Sequence, residues 1–132
     1  MKLFATVLRL LAPVFFAVAA VHLWLGVGAD ALLGAKVSAE ALADPTLNSQ
    51  NRFYGVAFAL FGVILLICAG DLRKYQTVLR AALWVFLFAG LARLVSIVTH
   101  GLPAPLVLLL LATELLAPPA LLLWLQQVLA EQ

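Results

Sequence analysis

The sequence predicts an all-α integral membrane protein, an antiparallel four-helix transmembrane bundle forming a single domain over residues 1-132. Three observations predict it. Hydrophobic residues make up 66% of the 132 and charged residues only 11%, with a mean hydropathy of +1.15. A soluble domain is about 45–50% apolar and about 25% charged, so a chain this short has more apolar surface than a globule can bury, and lipid must solvate the rest. The apolar residues also fall into four long runs, each of a length that spans a bilayer. Finally, short turn-forming stretches separate the later runs, leaving room only for antiparallel neighbours.

The first span is 10-28. A basic start, an apolar stretch and the triplet Ala17-Val18-Ala19 resemble a signal peptide, but the run continues through Val21, Leu23, Trp24 and Leu25, too far for one. Pro13 is expected in its first turn or two, where a helix tolerates proline. Residues 29-51 form the longest polar stretch and are expected outside the cytoplasm. Leu33, Val37 and Ala41 share a face there, with Lys36, Glu40 and Asp44 elsewhere, which predicts a short surface helix ended by Pro45. The Thr46-Leu47-Asn48-Ser49 segment offers N-caps for the next helix.

The second span is 52-70, and Gly55, Ala59 and Gly62 form a small-residue stripe along it that permits close helix contact. Asp71-Leu72-Arg73-Lys74 is a charged turn. The third span is 75-98, followed by a connection containing Gly101, Pro103 and Pro105. The fourth is 106-125, where Pro118 and Pro119 predict a kink. Lys2, Arg9, Arg73, Lys74 and Arg80 share one side of the membrane against Lys36 and Arg52 on the other, so the positive-inside rule puts both termini in the cytoplasm. Trp24 and Trp124 lie near interfaces and read as anchors, whereas mid-span Trp84 reads as packing. Such a protein contacts membrane lipids, and its location is integral to a membrane, the bacterial inner membrane on this reading.

Arg93 and Glu114 stand inside otherwise apolar spans. An ionised group at bilayer depth costs at least about 2.5–3.5 kcal/mol, so such residues pair, face a wet cavity or act on something. At about 1.5 Å per residue, Arg93 and His22 lie roughly 9 Å below the outer end of their helices and Glu114 roughly 12–16 Å. Asn51, Arg52 and Tyr54 sit at the outer mouth of the second span, and Ala89, Arg93, Ser96 and His100 share one face of the third. The candidate site is therefore Arg93 with Glu114, as ligand anchor or structural ion pair. Its candidate lining is His22, Asn51, Arg52, Tyr54, Ser96 and His100. Pro118 and Pro119 lack the N–H groups that would bond the carbonyls of Glu114 and Leu115, which adds acceptors beside the carboxylate.

No catalytic motif is present: no HExxH, Walker loop, nucleophile elbow or dinucleotide fingerprint. No metal site is expected, since His22 and Glu114 supply two ligands and His100 is distant. Cys68 is the single cysteine and reads as a small buried hydrophobe. The net charge of +2 is dispersed, so nucleic acid is not a partner, and no cofactor is identified.

The segments Asn51-Arg52-Phe53-Tyr54-Gly55, Gly90-Leu91-Ala92-Arg93-Leu94-Val95-Ser96, Gly101-Leu102-Pro103 and Glu114-Leu115 resemble the bacterial domain-of-unknown-function 4345 family. Its members are similar to small four-helix membrane bundles, loosely like DoxX-like proteins. The resemblance implies that Arg52, Arg93, Ser96 and Glu114 match the family's polar positions; it implies no activity and leaves His22 outside the pattern. Two functional classes follow. One is a non-catalytic binding or accessory module holding a lipid, quinone or other amphiphile, or docking on a membrane-protein partner or a second copy. The other is a membrane-embedded enzyme or proton-coupled carrier using Glu114 and Arg93 on a lipophilic substrate. The absence of a catalytic constellation favours the first.

Overall fold

A computed structural model describes residues 1–130. Its helices are α1 (Lys2–Leu25), α2 (Gly28–Leu32), α3 (Ala39–Ala43), α4 (Pro45–Ala57), α5 (Ala59–Gly70), α6 (Gln76–His100) and α7 (Pro105–Ala130), and no strand occurs among the described residues. Four helical stretches are long and apolar enough to cross a membrane: Lys2–Leu25, Pro45–Gly70, Gln76–His100 and Pro105–Ala130. The protein is an all-α, integral membrane bundle whose outer surface meets lipid.

The helices form two pairs. In one, α1 lies along α4 and α5; in the other, α6 lies along α7. The pairs meet mainly through α5 against α6, with a smaller contact of α1 on α7. Small residues set the first pairing. A Cβ on Gly55 would overlap Cβ and Cγ of His22, and one on Gly62 would lie 2.9 Å from Cζ of Phe16 and 3.0 Å from the Ala12 carbonyl oxygen. Both glycines of the predicted stripe therefore let α4 and α5 rest directly on α1.

The bundle is layered along its axis. At the end where α1 begins and α7 ends, the terminus-bearing end, Phe4, Leu8, Leu65, Cys68, Leu72, Leu79, Leu83, Leu125 and Val128 form a closed core. Phe4 and Trp124 meet edge to face there at 4.9 Å. Arg9 donates from Nη2 to the Ala69 carbonyl at 3.1 Å, a cation at the carbonyl end of α5. Above this core Phe15, Phe58, Phe61 and Phe86 cluster with ring centroids 5.5–6.5 Å apart, within the range of favourable aromatic contacts. The far end is polar and more open.

Several elements depart from the expected boundaries. α1 begins at Lys2, so Pro13 lies well inside it. Its end is Gly26, whose φ of 54° is a backbone conformation few residues but glycine adopt. The polar stretch is not one surface helix but α2, an irregular segment and α3. Pro45 opens a helix rather than closing one: it is the first residue of α4, capped by Asp44, whose Oδ1 accepts the Leu47 N–H at 2.8 Å. The second span is divided into two helices at Phe58, whose N–H is shared by the carbonyls of Tyr54 and Gly55. Trp84 does not pack inside; it is half exposed and touches the ring of Phe88.

Candidate functional site

Gly90 and Arg93 share a face of α6, one turn apart. A Cβ on Gly90 would stand 3.0 Å from Cβ of Glu114 and 3.0 Å from Cδ2 of Leu115, so the bare glycine brings the α6 backbone onto α7 at the carboxylate-bearing residue. Arg93 then donates from Nε to Oε2 of Glu114 at 2.6 Å. The two partners differ in environment: the Glu114 side chain is 4% exposed and that of Arg93 37%. The carboxylate is shut between the helices, and the guanidinium reaches past it. Pro118 is buried one turn below, and with Pro119 it leaves the Glu114 and Leu115 carbonyls without helical donors.

The exposed part of Arg93 lines a cavity of about 670 Å³ at the far end. Leu33, Val37, Leu102, Pro103 and Val107 give it apolar walls, and Asp30 and Lys36 are its other charged residues. Its rim closes where the segment after α2 approaches the α6–α7 connection; Gly34, with φ of 97°, sits against Ala104. Glu114 is not among the lining residues.

A second polar cluster lies between α1, α2 and α4. His22 Nδ1 is 2.9 Å from the Val18 carbonyl, which can only accept, so this nitrogen carries the hydrogen. Its Nε2 faces Oδ1 of Asp30 at 4.0 Å. Asn51 donates from Nδ2 to Oδ2 of Asp30 at 2.5 Å, and its Oδ1 is buried without a partner. Arg52 donates to the Leu23 and Trp24 carbonyls, satisfying the end of α1. Asn48 ties the connection together: its Oδ1 accepts the Val27 N–H at 3.3 Å, and its Nδ2 donates to the carbonyls of Leu42 at 2.8 Å and Asp44 at 3.0 Å. A smaller cavity of about 200 Å³ is lined by Val27, Asp30, Leu47, Gln50, Asn51 and Tyr54.

The predicted residues thus divide. Arg93 and Glu114 meet, and Asp30 lines both cavities, linking the neighbourhood of Arg93 to that of His22 and Asn51. Arg52 is taken up in holding α1 and lines neither cavity. Ser96 and His100 are exposed and line neither, because the helical face that starts at Arg93 turns outward near the end of α6; His100 Nδ1 meets Thr99 Oγ1 at 2.7 Å instead. Among the described residues no three histidine, cysteine or carboxylate side chains gather as metal ligands. Asp30, Lys36 and Asn48 were not among the site residues expected from sequence. Asp30 carried the one available signal, an acidic residue just past the end of an apolar run.

A family profile describing a domain of unknown function (DUF4345) matches residues 3–125. The chain belongs to that family. Comparison with curated proteins and with solved structures gave no match. The match reaches into all four spanning stretches and includes both Arg93 and Glu114.

Proposed function

We propose that the protein is a non-catalytic binding or accessory module of the bacterial inner membrane, whose far-end cavity takes the head of a lipid, quinone or other amphiphile. The observation that carries this reading is the anchored arginine on the cavity wall: Arg93 is held at Nε by a buried carboxylate while its side chain stays 37% exposed. The cavity volume of about 670 Å³ lies within the roughly 300–1,000 Å³ of small-molecule sites, and its walls are mainly apolar with few polar groups. The bias of basic residues toward the terminus-bearing end supports a cytoplasmic position for that end, with the cavity on the opposite side.

The carrier or enzyme reading asks for a carboxylate facing a wet space. Glu114 is 3% exposed, engaged by Arg93 and away from the cavity wall, which favours binding over proton handling. Native mass spectrometry in mild detergent tests the proposal with the wild type, Arg93→Ala and Glu114→Gln. A copurifying small molecule present in the wild type and lost from Arg93→Ala supports it. An unchanged spectrum with lowered thermal stability leaves the pair a structural lock, and a copurifying protein instead points to the accessory role.

A further inference from the structure

We propose that this cavity selects amphiphiles whose head is an oxyanion, a phosphate or a carboxylate, with Arg93 and Lys36 as its cationic contacts and Asp30 as the group that limits its affinity. The inference rests on the amphiphile-binding reading and names its ligand class. Guanidinium presents five N–H donors in a planar fork. Glu114 uses the one on Nε, and the Nη groups donate to nothing else among the described residues. The Nη/Nη edge that remains can grip an oxyanion with two parallel hydrogen bonds, each charge-assisted and about twice as strong as a neutral one. The carboxylate behind it fixes the plane of the fork without entering the cavity, so little ordering remains to be done when a ligand arrives.

Lys36 adds an exposed ammonium on the wall supplied by the segment after α2. Seen from the cavity, two cations oppose one carboxylate, that of Asp30. Asp30 Oδ2 already accepts from Asn51, so its charge is partly spent on its own side. A net positive, preorganised head site below apolar walls fits a charged head on an apolar tail. A neutral quinone or diacylglycerol would use the walls but gain nothing from Lys36 and suffer nothing from Asp30.

Charge changes on the rim therefore separate the classes without touching the buried pair. In a neutral detergent, the protein is titrated with phosphatidylglycerol, oleate, a diacylglycerol and a long-chain quinone, and retention is read by native mass spectrometry. Wild type retains phosphatidylglycerol or oleate in preference to the two neutral amphiphiles, and which of the two identifies phosphate or carboxylate. Lys36→Ala weakens that binding roughly twofold to fivefold and Asp30→Asn tightens it by a similar factor, the scale of exposed charge pairs. Arg93→Lys keeps the charge but loses the fork, and weakens it by roughly tenfold or more. Preferential retention of the diacylglycerol or quinone, unmoved by Lys36→Ala and Asp30→Asn, overturns the oxyanion inference and leaves the amphiphile reading intact. Retention of none of the four overturns both.

Discussion

The unequal burial of Arg93 and Glu114 predicts unequal costs for breaking their contact from the two ends. Arg93→Gln leaves a carboxylate whose side chain is 4% exposed, with no cation beside it. Removing one partner of a buried pair in this way costs about 3–5 kcal/mol, because the remaining charge is desolvated and uncompensated. Glu114→Gln leaves a guanidinium whose side chain is 37% exposed and whose stem can carry the charge to the far surface. What is lost there is a charge-assisted hydrogen bond worth about 1.5–3 kcal/mol, part of it recovered by the glutamine oxygen, so the expected cost is about 1–2 kcal/mol. The assay is reversible unfolding in mild detergent by circular dichroism, on both single variants and the double variant. The cycle should return a coupling of about 1.5–3 kcal/mol. A Glu114→Gln cost equal to or above that of Arg93→Gln would refute the argument, since it would mean that arginine, not glutamate, is the enclosed partner.

Two further outcomes follow from the packing. Gly55→Ala puts a methyl group where Cβ of His22 stands, so α1 and α4 must part; the overpacking cost of about 1–3 kcal/mol exceeds or cancels the gain of about 1 kcal/mol in helix propensity. Gly70→Ala, with nothing near its Cβ position, should be neutral or slightly stabilising in the same melting experiment, and equal behaviour of the two variants would contradict the close α1–α4 contact. Asn48→Ala removes three hydrogen bonds to the chain between α1 and α4 and should cost about 1–3 kcal/mol, with faster hydrogen exchange confined to the Val27 region.

Hydropathy made the four spans readable because lipid is the solvent they must satisfy, and the same rule singled out Arg93 and Glu114. It misplaced helix ends because it reports where lipid begins, not where hydrogen bonding begins. α1 runs on to Lys2 through sequence that is helical without being deeply apolar, and Pro13 breaks only one bond within it. Asp44-Pro45 was legible as a cap followed by a first-turn proline, yet proline after an alanine-rich stretch also reads as a stop, and only the Leu47 N–H on Asp44 decides between them. The roles of Asp30 and Asn48 were not legible. Both depend on the chain returning after α3 to set α4 beside the end of α1, a tertiary event with no periodicity to announce it. Ser96 and His100 mark the limit of face arithmetic, since a stripe leads into a site only while a neighbouring helix covers it.

Whether the arginine is a lock between α6 and α7 or part of a site is a choice the guanidinium does not require. A lysine in its place would present a single charged atom, and pairing it with Glu114 would spend it. The planar fork has separate edges: Nε donates to the carboxylate of α7, and the Nη pair has no partner among the described residues, on a side chain that lines the cavity. The closed core and the phenylalanine layer pack the bundle at and above the terminus-bearing end, below the level of Arg93. Gly90 supports the same division, because it brings the backbones close enough that the carboxylate seats the arginine stem and leaves its tip free. On the proposed binding reading, stability and ligand retention rest on one residue through different atoms, and Arg93→Lys should separate them, keeping more of the fold than of oxyanion retention.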